Sequence, residues 1–270
     1  MKAALIAVVA AVLAHQLWVR VVTSRGGAEM ILQRVLSAIA AHPDRAVWAT
    51  ADLPFAKRLR SSRKIFRQEY EQYTSAHRLP LYQASDHFII DDTWAPDWDA
   101  IWIKIHGNEL PSLTQFPETS SILRSLPNVR SAMFSRLNAG GVIPPHRGLT
   151  SIVHRYMLAL IIPPVRANAE TLSQFVMDND QEIHSHDWRS DDESAVDFLF
   201  DDTFPHGAEN TTPHARVVLI VEVERVDIRD DVWYARPLYR LLIFLSSFNE
   251  GVLRFVKDAT TSTERAEMKS

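Results

Sequence analysis

Two histidines and one arginine stand in sequence contexts that could serve a single reaction centre. His146 follows two prolines and His206 follows one, so each is expected on a loop or at a strand end, where ligands are usually displayed. Arg216 comes ten residues after His206 and opens an apolar run. Two imidazoles can hold one divalent metal ion, and an arginine can hold a carboxylate. These are the fewest side chains that a non-haem iron(II) enzyme using 2-oxoglutarate and oxygen needs.

Strand periodicity adds two polar residues to this set. Ser135 and Arg155 each share a predicted strand face with apolar neighbours, Met157 among them, which indicates that both side chains point inward. An inward arginine requires an anion, because an unpaired buried charge is costly. That anion is either a bound carboxylate or a structural aspartate such as Asp201 or Asp202, and spacing alone leaves the two alternatives open.

Composition excludes several function classes. The chain of 270 residues has a net charge of −4 and no basic run interleaved with aromatic residues, so nucleic acid is not an expected partner. It has no cysteine, which excludes disulfides, zinc–thiolate sites and a cysteine nucleophile. Sequence patterns for dinucleotide binding, for a P-loop and for a zincin are absent as well.

The first 22 residues carry an apolar run that predicts an uncleaved membrane anchor. An unbroken apolar stretch covers residues 3–14, and only with His15, Gln16 and Arg20 does the segment reach the roughly 20 residues that a span requires. A signal peptide and a buried helix are the alternatives. We expect a single-pass membrane protein with its catalytic domain in the cytoplasm, where reduced iron and 2-oxoglutarate are plentiful.

The remaining pattern predicts a mainly β fold with flanking helices, built on a double-stranded β-helix, the cupin-like jelly roll. Helices are expected at residues 28–40, at residues 117–126 with Thr119 as a possible cap, and at residues 237–256. The predicted strands span residues 100–106, 129–137, 155–162, 195–200 and 216–223. Residues 53–73 are expected to be helical or irregular.

These elements divide the chain into four predicted regions. Residues 1–22 form the anchor, 23–115 a helical or mixed region, 116–230 the jelly-roll hydroxylase domain, and 231–270 a helix with a polar tail. The helix in the last region mixes leucines and phenylalanines with arginines, a composition suited to a membrane interface. Packing of this helix against the jelly roll explains the same pattern equally well.

Several motifs in order carry a family resemblance over a little under half of the chain, from about Pro117 to Arg225. They are Phe116-Pro117-Glu118-Thr119, Pro145-His146-Arg147-Gly148-Leu149-Thr150, Phe200-Asp201-Asp202-Thr203-Phe204-Pro205-His206, Glu209-Asn210-Thr211-Thr212 and Arg216-Val217-Val218-Leu219. This stretch resembles the aspartyl/asparaginyl β-hydroxylase family of Fe(II)/2-oxoglutarate oxygenases. Its layout is most similar to that of the membrane-bound lipid A acyl-chain 2-hydroxylases.

The resemblance implies a role for each candidate residue. His146 and His206 match the iron ligands of the family, and Arg216 matches the arginine that pairs with the distal carboxylate of 2-oxoglutarate. Ser135 matches a serine beside that arginine, and Arg155 matches a second cosubstrate-binding arginine. The implied activity is hydroxylation with Fe(II), 2-oxoglutarate and O2, on a lipid acyl chain or on a membrane-proximal protein.

Two departures from the family pattern keep alternatives open. Gly148 stands where most 2-oxoglutarate oxygenases carry an acidic ligand; the protein-directed branch shares this glycine, so the substrate could be a protein aspartate or asparagine. Met157 stands where that branch has a histidine. The two departures also allow a non-catalytic, membrane-tethered jelly roll, and affinity alone would allow another metal. If water takes the coordination position near Gly148, Fe(II) is expected to have only two side-chain ligands, and Gly148→Asp is expected to be tolerated, or at least not to abolish metal binding.

Overall fold

The computed structural model describes residues 34–76, 98–148, 151–164, 172–177, 183–188 and 196–247. The predicted anchor of residues 1–22 and the polar tail lie outside these ranges. None of the helices in the described ranges has the length and apolar character that crossing a bilayer requires.

The described strands form two antiparallel sheets. One has seven strands in the order β1-β9-β6-β11-β4-β2-β3, and the other has four in the order β5-β10-β7-β8. Their bounds are β1 Val47–Trp48, β2 Trp98–Ile105, β3 Asn108–Glu109, β4 Val129–Leu137, β5 Val142–His146, β6 Val153–Ile161, β7 Leu172–Met177, β8 Ile183–Asp187, β9 Asp197–Phe200, β10 His206–Asn210 and β11 Arg216–Glu224. The mainly β fold with flanking helices is therefore confirmed, and β1 to β3 extend the large sheet beyond the predicted jelly-roll region.

Alternation along β11 shows how the large sheet buries both of its faces. Val217, Leu219 and Val221 belong to one apolar cluster, which also contains buried residues of the helices. Val218 and Ile220 point the other way, into a second cluster that includes residues of the four-stranded sheet. Because side chains alternate along a strand, Arg216 and Glu222 share the face of Val218 and Ile220 and point between the sheets.

Three helices cover the outer face of the large sheet: α1 Pro54–Ser61, α2 Arg63–Ala76 and α3 Pro117–Arg124. A 3-10 helix over Pro111–Gln115 precedes α3. The buried stripe of α1, formed by Phe55, Ala56 and Leu59, belongs to the outer cluster, as does Phe66 of α2. Residues 53–73 are thus helical, the first of the two predicted alternatives.

The residue at the N-cap position of α3 is not the predicted Thr119. Phe116 occupies the cap position and makes no side-chain hydrogen bond there. Instead, the carboxylate of Glu69 on α2 accepts the backbone N–H groups of Glu118 and Thr119 at 2.9 and 2.7 Å. The Thr119 prediction is wrong, because a carboxylate from another helix reaches these two N–H groups and also suits the positive end of the helix dipole.

A fourth helix, α4 Ala235–Ser246, lies apart from the other three. Its buried residues Ala235, Tyr239 and Ile243 form a third cluster with residues that include Leu36 and Ile39, and with Ile152 and Val153, which lie just before and at the start of β6. The loop and strand that follow His146 are thus in direct contact with this helix.

Candidate active site

The two histidines meet where neighbouring strands of the small sheet begin and end. His146 is the last residue of β5 and His206 the first of β10, and the antiparallel register pairs them directly. Their ring centroids lie 4.1 Å apart. The prolines Pro144 and Pro145 fit β5 because it is an edge strand, where a missing N–H does not interrupt a ladder.

Each imidazole is oriented by a carbonyl two residues before it. Nδ1 of His146 donates to the oxygen of Pro144 at 2.9 Å, and Nδ1 of His206 donates to that of Phe204 at 2.9 Å. A carbonyl can only accept, so the hydrogen sits on Nδ1 and the lone pair on Nε2 of each ring. Nε2 of His206 is buried and has no hydrogen-bond partner among the described residues. This tautomer and this backbone support are those of metal-bound histidines.

Burial keeps both imidazoles neutral at neutral pH. It lowers the pKa of His146, and it lowers the pKa of His206 well below the ordinary 6.5. The positive charge of Arg155 acts in the same direction on both rings. A neutral imidazole is the form that binds a metal ion, so the pair is ready to do so without first losing a proton.

The position of Gly148 is filled by a carboxylate from elsewhere in the chain. The N–H of Gly148 donates to the carbonyl of Asp202 at 2.6 Å, and a Cβ placed on Gly148 would lie 2.1 Å from Oδ2 of Asp202. Gly148→Asp therefore requires the carboxylate of Asp202 to move, and the expectation that metal binding survives this change stays a prediction. In the part of the chain that the structure describes, no three His, Asp or Glu residues form a set that could hold a metal ion.

Arg155 sits between two buried carboxylates. One of its terminal nitrogens lies 2.7 Å from Asp202 and 3.0 Å from Glu222. Burial raises the pKa of Asp202 to about 7, and Arg155 acts against that shift. The structural aspartate that the sequence offered as one partner for Arg155 is thus Asp202, with Glu222 as a second.

Among the described residues, Arg216 is buried without a comparable partner. Its side chain is 1% exposed and faces the ring of Trp188 at 5.6 Å. Nε and Nη1 of Arg216, and Nε1 of Trp188, have no hydrogen-bond partners within the described ranges. Burial lowers the pKa of Arg216 to about 10, so it is charged at neutral pH. A buried, charged guanidinium with unpaired donors suits a carboxylate ligand.

Ser135 lies on the same inner face as Arg216. It pairs with Val218, two residues along β11 from Arg216, and its hydroxyl accepts a hydrogen bond from Nε1 of Trp98 at 2.8 Å. The inner face of the large sheet carries one apolar cluster, which includes Met133, Met157, Phe198, Phe200, Val218 and Ile220. The ring of Phe200 in this cluster lies 5.1 Å from the ring of His206.

Sequence reasoning missed Trp188 and Trp98. Trp98 is the first residue of β2 and points to the same face as Ala100, the residue that pairs with Ser135. Strand alternation could have indicated this position. Trp188 follows β8, a strand without a recognisable pattern, so no sequence signal placed it against Arg216.

A model of the aspartyl/asparaginyl β-hydroxylase family matches residues 60–226. The ornithine lipid ester-linked acyl 2-hydroxylase of Rhizobium tropici is 25% identical over 209 residues, which cover 76% of this chain and 70% of that protein.

Two solved structures show weaker likeness. A prolyl-4-hydroxylase of Pseudomonas putida has a TM-score of 0.37 at 14% identity, covering 71% of this chain and 99% of its own. A DMSP lyase of Ruegeria pomeroyi has a TM-score of 0.31 at 12% identity, covering 57% and 59%. Likeness this low carries no argument about function. The family match is different, because residues 60–226 are more than half of the chain and include His146, His206 and Arg216. The chain belongs to the aspartyl/asparaginyl β-hydroxylase family, and an acyl 2-hydroxylase of lipids is among its relatives.

Proposed function

We propose that this protein is an Fe(II)- and 2-oxoglutarate-dependent hydroxylase that acts on a lipid acyl chain at a membrane. One observation carries the proposal: two neutral, backbone-supported imidazoles meet in an interior that also holds a charged arginine with unpaired donors. The lipid substrate is supported by the 25% identity to an acyl 2-hydroxylase of ornithine lipid. Membrane attachment through residues 1–22, with a cytoplasmic catalytic domain, is part of the same proposal.

The donor set fits an iron ion. Nε2 of His146 and Nε2 of His206 would hold Fe(II), and imidazole nitrogen is a ligand that this metal accepts. When bound, Fe(II) supplies the oxidising chemistry that converts 2-oxoglutarate and O2 into succinate and CO2 while one oxygen atom enters a C–H bond of the substrate. Two side-chain ligands would leave more room at the metal for cosubstrate and water than a set that also includes a carboxylate.

Arg216 would bind the distal carboxylate of 2-oxoglutarate. Its unpaired Nε and Nη1 can donate to that carboxylate, and the ring of Trp188 lies 5.6 Å from the guanidinium carbon. Ser135 would contribute from the same sheet face. We include Arg155 as a second cosubstrate-binding arginine through its buried Nε, which has no partner in the described part of the chain. Its terminal nitrogen is already engaged by Asp202 and Glu222.

The apolar interior would exclude water during the reaction. Met133, Met157, Phe198 and Phe200 are all at least nine-tenths buried and lie between the two sheets. A dry interior strengthens the Arg216–carboxylate pair and protects a reactive site from unproductive proton transfer. An acyl chain is a substrate that such a lining would accept without unsatisfied polar groups.

A protein aspartate or asparagine is the second candidate substrate, and Gly148 is the observation that favours it. The resemblance assigns this glycine to the protein-directed branch, and the structure leaves no space for a side chain at position 148.

The test is succinate release by the purified protein with Fe(II) and 2-oxoglutarate. Extracted membrane lipids and aspartate- or asparagine-containing peptides are offered separately, and His206→Ala is the control. We expect lipid to stimulate succinate release and peptides to leave it at the background rate. Stimulation by peptides alone would establish the second candidate. Absence of release under every condition would support a non-catalytic jelly roll.

A further inference from the structure

Helix α4 packs on the protein along one side, with Leu238 and Leu242 partly buried beside the fully buried residues. Ala235, Tyr239 and Ile243 recur every four residues and are the buried residues of this helix. They pack on Leu36, Ile39, Ile152, Val153 and Ile228. A helix fixed in this way should present polar residues on its opposite side.

Large apolar side chains are nevertheless exposed on α4 and on the turn that precedes it. Trp233 and Tyr234 of the turn are 87% and 43% exposed, and Leu241 and Phe244 of the helix are 50% and 59% exposed. These four residues are called the aromatic face below. Four large apolar side chains exposed together mark a contact surface, whereas single exposed residues would need no explanation. Trp and Tyr are enriched where protein meets the headgroup region of a bilayer.

The charge of α4 suits an anionic partner. The helix contains Arg236 and Arg240 and no acidic residue, and both arginines are exposed. Arg236 is paired with Asp230 from the preceding loop. Arg240 has no ion pair within the described residues, so its charge is available to an external phosphate. Basic residues beside an exposed aromatic face are the composition of a helix that lies in a membrane interface.

Hydrogen bonds attach α4 to one of the two segments that carry the histidines. The hydroxyl of Tyr239 donates to the carbonyl of Ile152 at 2.7 Å, and Ile152 lies just after the loop that leaves His146. The same hydroxyl accepts the backbone N–H of Arg225 at 2.6 Å.

Arg225 extends this attachment to the other segment. Its guanidinium donates to the carbonyl of Ser151 at 2.9 Å and to the carboxylate of Asp201 at 2.7 Å. Asp201 precedes Asp202, whose carbonyl receives the N–H of Gly148. The helix therefore lies at the end of the sandwich that holds the histidine pair.

We propose that α4 docks on the surface of an anionic phospholipid bilayer, with the aromatic face at the acyl boundary and Arg240 at the phosphates. The choice of a bilayer as partner rests on the proposed function, because a lipid substrate lies in a membrane. Docking of α4 would bring the end of the sandwich that holds the histidine pair to that membrane. The docking is separate from any attachment through residues 1–22.

A fluorescent label tests this docking without reference to activity. The chain has no cysteine, so Leu241→Cys gives a unique site for a polarity-sensitive fluorophore on the aromatic face of the full chain. Ser61→Cys, an exposed position on α1, is the matched control. Each labelled protein is reconstituted in vesicles of phosphatidylglycerol with phosphatidylcholine, and quencher-bearing lipids report contact with the bilayer.

We expect a blue shift and quenching at position 241, and an unchanged, water-exposed spectrum at position 61. Arg240→Gln should lower the ratio of docked to undocked label by about fivefold, the effect of one basic charge near an anionic surface. Replacing Arg67, an exposed arginine on α2, by glutamine should leave that ratio unchanged.

A water-exposed label at position 241 in vesicles would overturn the proposal. So would a label that is already shielded without vesicles in a protein that elutes as a dimer, since the face would then bind a second copy. Hydroxylase activity is not measured in this experiment, so docking and the proposed function can fail independently.

Discussion

The described neighbours of Arg216 offset only part of the free-energy cost of burying its positive charge. A cation–π contact such as that with Trp188 contributes about 2 kcal/mol when desolvated. Removing a cation from water costs several kcal/mol, so two unpaired N–H groups beside this contact leave a deficit that an anion would offset. Arg155 differs from Arg216 in this respect, because the carboxylates of Asp202 and Glu222 already pair with its positive charge.

Arg216→Lys should raise the concentration of 2-oxoglutarate required for half-maximal turnover by about 10- to 100-fold. Lysine keeps the charge but cannot form a bidentate pair, and a charge-assisted hydrogen bond contributes roughly 1.5–3 kcal/mol. Metal affinity, followed by calorimetry, should change little because the lysine would not touch the histidines.

Trp188→Phe is the matched control for that variant. It retains a ring face for Arg216 and removes one unpaired donor, so its effect on 2-oxoglutarate should be smaller than that of Arg216→Lys. Parallel loss of metal and 2-oxoglutarate binding in Arg216→Lys would assign Arg216 a folding role instead.

Gly148→Ala should destabilise the protein by about 1–3 kcal/mol, the usual cost of adding a methyl group to a packed interior. The new Cβ would meet the carboxylate of Asp202 at 2.1 Å, while Asp202 is held by Arg155. Urea unfolding of Gly148→Ala, Asp202→Ala and the double variant measures the coupling. We expect the double variant to be less destabilised than the sum of the two single variants. Strict additivity would show that the two side chains do not compete for space.

At the scale of elements, one carboxylate fixes the relation between two helices. Glu69→Gln should cost about 0.5–2 kcal/mol, because Glu69 accepts two N–H groups at the start of α3. Thr119→Val should be nearly neutral by comparison, because the hydroxyl of Thr119 is buried without a partner in the described part of the chain. Urea midpoints of the two variants decide the matter, and the reverse order would restore Thr119 as the cap.

The same scale shows what the sequence can predict. The strand predicted over residues 129–137 coincides with β4, and residues 216–223 differ from β11 by one residue, because both are nine-residue strands in the interior of a sheet. None of the four strands of the small sheet was predicted as such. They have only five or six residues each, and β5 contains two prolines. Pairing with neighbouring strands, rather than local sequence pattern, therefore determines these strands.

The histidine pair was predictable because motif context placed His146 and His206 at strand ends. The carboxylate that fills the space at Gly148 was not, since it depends on a loop 54 positions later along the chain meeting the end of β5. The roles of the two histidines, Ser135, Arg155 and Arg216 in catalysis stay predictions.

At the scale of the whole molecule, buried histidines make stability sensitive to acid. His154 is fully buried, and burial lowers its pKa well below 6.5. As pH falls through 6.5, the unfolded chain binds a proton that the folded protein resists, so the unfolding free energy decreases by up to about 1.4 kcal/mol per pH unit for this group. His106, His146 and His206 have lowered pKa values and act with the same sign.

Asp202 opposes this trend over part of the range. Its folded pKa is raised from 3.8 to about 7, so the folded protein holds a proton that the unfolded chain has lost between those values. In metal-free protein, His154→Phe should flatten the loss of stability between pH 6.5 and about 5.5 by roughly 1 kcal/mol relative to wild type. Urea unfolding at several pH values measures this difference. Identical slopes for the two proteins would show that His154 accepts its proton in the folded state.

The most direct measurement of the central claim is incorporation of heavy oxygen from O2 gas into membrane lipid. Purified protein is incubated with Fe(II), 2-oxoglutarate, isotopically heavy oxygen gas and extracted lipid, and the acyl chains are analysed by mass spectrometry. We expect a hydroxylated acyl chain that carries the heavy isotope, requires 2-oxoglutarate, and is absent with His206→Ala. Acyl chains that remain unmodified while 2-oxoglutarate is consumed, or equal labelling by wild type and His206→Ala, would contradict the claim.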